Sequence, residues 1–157
     1  MRSETSWSKE QASEIIEAHR GVEGAALPML HALQAAFGFI PEEVVPMIAQ
    51  ALNLSRAEVH GIVTFYHDFR HHPPGRHVLK LCRAEACQSM GGDALAAHAQ
   101  AKLHAGWGET TGDGALTVEP VYCLGLCACA PTAMLDGKVV GRLDRARLDA
   151  LLDGARR

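Results

Sequence analysis

Apolar positions recur at helical spacing through the first half of the chain. Ala12, Ile15, Ile16 and His19 share one face of a helix that Ser8 caps, with Gln11 at the capping-box position. Leu30, Leu33, Gln34 and Phe37 repeat the spacing in a second helix, opened by Pro28 and ended by Gly38. Pro41-Glu42-Glu43 opens a third, with proline in the first turn and carboxylates at the positive end of the helix dipole. Ser55-Arg56-Ala57-Glu58 is a capping box for a fourth, which runs to about residue 66 and buries Val59, Ile62, Val63 and Tyr66.

The second half changes character. Residues 77–81 read as a short strand ending at Cys82, and Gly91-Gly92 leads into an alanine-rich helix over 93–104. A glycine-rich loop, 106–114, precedes a second strand at 116–123. Residues 133–135 and 139–141 form a hairpin around Asp136-Gly137, a pair suited to a tight turn. A last helix spans about 145–152, with Asp144 near its start. The order strand, helix, strand, hairpin, helix predicts an α/β sandwich of thioredoxin-like type. His71-His72-Pro73-Pro74-Gly75 disfavours a continuing helix and divides the chain into a helical bundle, 1–75, and an α/β unit, 76–157. There is no internal repeat and no low-complexity tract.

Composition adds exclusions. With 157 residues, 48% hydrophobic and 21% charged, the chain has room for one ordinary domain or two small ones with their own cores. The net charge of −3, from 15 basic and 18 acidic residues, gives no electrostatic reason to expect nucleic acid or an anionic membrane. Arg156 and Arg157 are too few for a basic tail. No stretch reaches the roughly 20 apolar residues of a membrane span. The polar start, residues 1–10, has no apolar signal-peptide core. The expectation is a cytoplasmic chain, in a compartment where stable disulfides are rare.

All five cysteines lie between positions 82 and 129. Their pattern is Cys82-x4-Cys87 and Cys123-x3-Cys127, each pair starting where a strand ends. Two loops at one edge of a sheet can bring four sulfurs together. Thiolates are soft donors for iron, and a [2Fe–2S] cluster needs two at each iron. Residues 83–86 and 124–126 can direct N–H groups at sulfur, Gly125 allows close backbone approach, and Arg83 can offset the charge added on reduction. Four thiolates also suit structural zinc, although zinc pairs more often have a two-residue gap. A zinc assembly module and a redox-sensing interaction module therefore stand beside the electron carrier. A Cys-x-x-Cys thiol-exchange motif is absent. Cys129 reads as a small buried filler or a substitute ligand. Of nine histidines, His67, His71, His72 and His77 lie close together in sequence, as a second metal site or as a solvated linker. Gly106, Gly108, Gly112 and Gly114 do not form a dinucleotide fingerprint. No phosphate loop, activated nucleophile or acid–base carboxylate pair is present.

At these residues the chain resembles the thioredoxin-like [2Fe–2S] subunits of NADH:quinone oxidoreductase (complex I) and their relatives in NAD-reducing hydrogenases and NAD-dependent formate dehydrogenases. The carrying segments are Leu30-His-Ala-Leu-Gln-Ala-Ala-Phe-Gly-Phe-Ile-Pro41 and Glu58-Val-His-Gly-Ile-Val-Thr-Phe-Tyr66. To these are added Cys82-x4-Cys87 with Gly91-Gly92, and Cys123-Leu-Gly-Leu-Cys127 with Ala130-Pro131. The runs Val63-Thr-Phe-Tyr-His-Asp-Phe-Arg70 and His77-Val-Leu-Lys-Leu-Cys-Arg-Ala-Glu-Ala-Cys87 look closest to the formate dehydrogenase γ subunit. The resemblance implies one [2Fe–2S] cluster on Cys82, Cys87, Cys123 and Cys127, with no ligand role for Cys129. It implies a flavoprotein partner with FMN, an NAD site and iron–sulfur. It also implies a larger formate-oxidising subunit with a molybdenum or tungsten cofactor. The helices would dock the chain on the flavoprotein, and the chain alone would have no substrate site.

Overall fold

In a computed structural model, residues 7–156 are described; the polar N-terminal stretch at 1–6 and Arg157 lie outside them. The chain forms two compact units, Met1–Pro73 and Pro74–Arg157.

The described residues of the first unit form four helices: α1 (Lys9–His19), α2 (Ala26–Phe37), α3 (Val44–Leu52) and α4 (Arg56–Phe65). Ser8 caps α1 by accepting the Gln11 N–H. Ser55 caps α4 in a complete capping box, its hydroxyl taking the Glu58 N–H while the Glu58 carboxylate takes the Ser55 N–H. The core is Met29, Leu30, Leu33, Phe37, Ile48, Val59 and Val63 with their neighbours. Each such side chain contributes about 1.5–3 kcal/mol on burial.

Three details differ from the sequence pattern. Helix α3 starts at Val44, because Pro41 and Glu42 carbonyls accept tight three-residue-back bonds from Val44 and Val45 before the helix sets in. Tyr66 is 43% exposed and not on the buried face, since the backbone turns extended there and carries it off α4. Gln34 sits at an apolar helical position as a polar staple. Its amide donates to the Asp68 carbonyl and accepts the Arg70 N–H at 2.7 Å, tying the segment after α4 to α2.

The second unit contains β1 (His77–Cys82), α5 (Glu85–Ser89), α6 (Gly92–Leu103), β2 (Leu116–Val121), β3 (Ala133–Leu135), β4 (Lys138–Val140) and α7 (Arg145–Ala155). The sheet order is β2-β1-β3-β4. Strands β1 and β2 run parallel, as a helical crossover permits; β3 and β4 are an antiparallel hairpin laid against β1. Helix α6 packs on β1 and against α7. The core gathers Leu79, Leu81, Leu103, Leu116, Val118, Leu148 and Leu152. Asp149 on α7 accepts both His98 (2.8 Å) and Lys102 (2.9 Å) of α6, which fixes the pairing of these helices. The α/β architecture matches the predicted element order; the short α5 is an addition, and α7 runs to Ala155.

Candidate metal centre

The parallel pairing of β1 and β2 does the first part of the assembly. Cys82, the last residue of β1, stands opposite Val121, the last residue of β2. Both chains therefore leave the sheet at one edge, and the Arg83 N–H still bonds to the Val121 carbonyl at 2.8 Å. Strand β3 begins at the same edge, where Ala133 pairs with Leu81 and the Thr132 carbonyl accepts the Cys82 N–H. The next turn, α5, brings Cys87 back beside Cys82. All five thiols are free.

Cys82 and Cys87 are buried, 5% and 2% exposed. Burial pushes the Cys82 thiol up, but the Ala84 N–H, Cys87, the Cys123 N–H and Thr132 outweigh it and leave the group below its ordinary value. The Cys123 N–H is supplied by the loop after β2, so the two cysteine loops meet. Burial raises the Cys87 thiol, with the Cys82 sulfur beside it acting in the same sense. Its sulfur lies 3.5 Å from the Thr132 hydroxyl.

Cys123 and Cys127 are exposed, with their sulfurs 3.6 Å apart. Two thiolates about 2.3 Å from one tetrahedral metal stand about 3.8 Å apart, so this spacing fits a shared metal. Cys123 pushes the Cys127 thiol up, as close sulfurs do until a cation compensates them. The Gly125 N–H points back at Cys123 sulfur at 3.3 Å. Cys123 itself has a left-handed φ of 88°, rare for a side-chain-bearing residue. Among the described residues no three His, Cys, Asp or Glu side chains surround one point. The four thiols come from two loops at one sheet edge, and their all-thiolate chemistry fits a binuclear iron–sulfur group.

Other residues fall as follows. Arg83 reaches Asp93 at 3.3 Å and lies over the Trp107 ring at 5.3 Å, a placement that sequence spacing did not reveal. Cys129 is half-exposed, not a buried filler; it lies in a 3₁₀ turn, Cys127–Cys129, held by its N–H to the Leu126 carbonyl. His77 pairs with Asp136 at 2.5 Å, and His67, His71 and His72 are exposed. Thr132 carries no signal in the cysteine pattern; only the β1–β3 register exposes it. Met90, Tyr122 and Leu126, each adjoining a cysteine segment, are 62%, 72% and 39% exposed.

Residues 12–156 match the family described as thioredoxin-like [2Fe-2S] ferredoxin. The chain is 41% identical over 132 residues to an NADH-quinone oxidoreductase component of Rhizobium meliloti (strain 1021), covering 84% of this chain and 79% of that one. It is 31% identical to HndA, a component of the NADP-reducing hydrogenase of Solidesulfovibrio fructosivorans, covering 88% and 81%. Among solved structures it resembles an NAD+-reducing [NiFe]-hydrogenase in the H2-reduced state, with a TM-score of 0.68 and 31% identity over 81% of this chain. This chain spans only 22% of the length of that hydrogenase chain. A family match over nearly the whole chain, with relatives above 30% identity, assigns it: the protein belongs to the thioredoxin-like [2Fe–2S] ferredoxin family, for which a [2Fe–2S] cluster is typical.

Proposed function

We propose that Cys82, Cys87, Cys123 and Cys127 hold one [2Fe–2S] cluster, and that the chain exchanges single electrons with a flavoprotein carrying FMN and NAD. The observation that carries the ligand set is the parallel register that ends β1 at Cys82 opposite the end of β2 at Val121, so that both cysteine loops leave one edge of the sheet. When bound, the cluster supplies one-electron chemistry. The chain's own residues supply the rest: thiolates, N–H donors from Ala84, Cys123 and Gly125, and a sheet edge that fixes their spacing.

The test uses anaerobically purified chain. Two irons and two acid-labile sulfides per chain, with a spin-one-half EPR signal after dithionite, are expected. Serine at 82, 87, 123 or 127 should abolish or alter that signal, and a normal spectrum in all four variants would sink the assignment. Zinc without sulfide would make the unit a structural module.

The complex is, in this reading, an NAD-dependent formate dehydrogenase with a larger molybdenum- or tungsten-containing subunit. The runs at 63–70 and 77–87 support it. The likenesses to NADH-quinone oxidoreductase and hydrogenase components favour a second reading, complex I or an NAD-reducing hydrogenase, with the same role for this chain. Purifying the complex and comparing formate with hydrogen as donors for NAD+ reduction, and quinone as acceptor for NADH, decides among them. Residues 1–75 dock the flavoprotein in this proposal: the unit has no cysteine and leaves Phe65 73% exposed. Deleting them should release the flavoprotein and spare the cluster; retained co-purification would argue against docking. No helix among the described residues is long and apolar enough to cross a membrane. A reducing, cytoplasmic setting belongs to this proposal, since an odd number of cysteines fits poorly with a complete disulfide framework.

A further inference from the structure

Thr132 touches both members of the first cysteine pair. It is 3% exposed, and its Oγ1 lies 3.5 Å from the sulfur of Cys87, which is 2% exposed. Its carbonyl accepts the Cys82 N–H at 3.1 Å. The pairing of Ala133 with Leu81 brings it there, one residue before β3 opposite the end of β1. In a free thiol either atom of the Cys87–Thr132 contact can donate. A thiolate bound to iron has no proton, so only the hydroxyl can, and the contact becomes a charge-assisted bond in a buried setting.

We propose that Thr132 is a positioning residue that sets the reduction potential of the cluster, holding it above the value that the same ligands would give without the hydroxyl. This rests on Cys87 being a ligand. Reduction adds one electron, from dithionite or the partner flavoprotein, and one unit of negative charge to the iron–sulfur group and its thiolates. No bond breaks and no proton is consumed. A donor aimed at a ligand sulfur stabilises the more negative state more than the oxidised one, so removing it favours the oxidised form. Burial keeps water from replacing the lost donor.

The test is an EPR-monitored redox titration of the full chain as wild type, Thr132→Val, Thr132→Ala and Thr132→Ser. Valine keeps the shape without the hydroxyl, alanine removes it without bulk, and serine restores it. Valine and alanine should keep wild-type iron and sulfide. At fixed potential their oxidised-to-reduced ratio should rise about tenfold, a downward shift of about 59 mV for one electron. Serine should titrate with the wild type. A valine or alanine variant that keeps its cluster at the wild-type potential overturns the proposal. So does loss of the cluster from both with retention in serine, which would make the hydroxyl an assembly contact. A wild-type chain without a cluster signal, or an unchanged signal in Cys87→Ser, strikes the ligand assignment itself and the proposal with it.

Discussion

Gly92, the first residue of α6, packs directly on the backbone of Cys87. A Cβ there would stand 2.6 Å from the Cys87 carbonyl oxygen and 3.0 Å from its carbonyl carbon. The obstacle is backbone rather than a flexible side-chain tip, so the turn between α5 and α6 must shift to admit even a methyl group. Gly92→Ala should destabilise the second unit by about 1–3 kcal/mol, the usual cost of overpacking. Displacement of Cys87 should also lower iron and sulfide per chain, as thermal unfolding and metal analysis of the variant would reveal. Full iron content at an unchanged Tm would mean that the turn yields freely.

Gly125 has a φ of 78° and aims its N–H at Cys123 sulfur. A side chain at this φ costs roughly 1–2 kcal/mol. Gly125→Val should relax the loop to negative φ and turn the N–H away. The expected result is a cluster more easily lost to a chelator, measured as the bleaching rate of its visible absorbance. Bleaching at the wild-type rate would show that this donor does not secure the second pair.

Ser55 anchors α4 through both halves of its capping box. The Glu58 carboxyl lies below its ordinary value chiefly because it accepts the Ser55 N–H, with the Ser55 hydroxyl adding to this. Ser55→Ala should cost about 1 kcal/mol of stability. Its effect should fall on the helical unit, leaving the EPR line shape as in the wild type. A changed line shape with no loss of helical stability would contradict both expectations.

Asp113 is held down to about 2 from 3.8, first by the Thr111 hydroxyl, then by the Ala115 N–H, with Arg156 contributing. Because the folded value is the lower one, the folded chain binds fewer protons. The stabilisation is complete above about 3.8 and fades as pH falls toward 2. The carboxylate is 43% exposed, so water weakens its pairing with Arg156 and the effect should be small. In Asp113→Asn, Tm should lie slightly below wild type at neutral pH and converge with it in acid. A gap that stays constant across that range would assign the loss to packing.

The sequence by itself determined most of the elements and proposed the chemistry. Ser8 and Ser55 mark helix starts through local bonds to residues three positions on, so nothing distant is needed to read them. Asp136-Gly137 likewise marks its hairpin. The cysteine spacing proposed the ligand set because ligands on loops after strands inherit a strict local register. Where a residue's setting depends on distant chain, the pattern could not supply it. Tyr66 falls at helical spacing, but the backbone has already turned outward. Cys129 has the composition of a core filler, but its 3₁₀ turn leaves it half-exposed. Arg83 meets Trp107, twenty-four residues on, only after α6 has folded back. Thr132 reaches Cys87 across forty-five residues, through a β1–β3 register that hydrophobic alternation does not specify between strands this short. Local hydrogen bonding and covalent spacing are written in order along the chain; the contacts that surround the sulfurs come from strand pairing, which only the packed core selects.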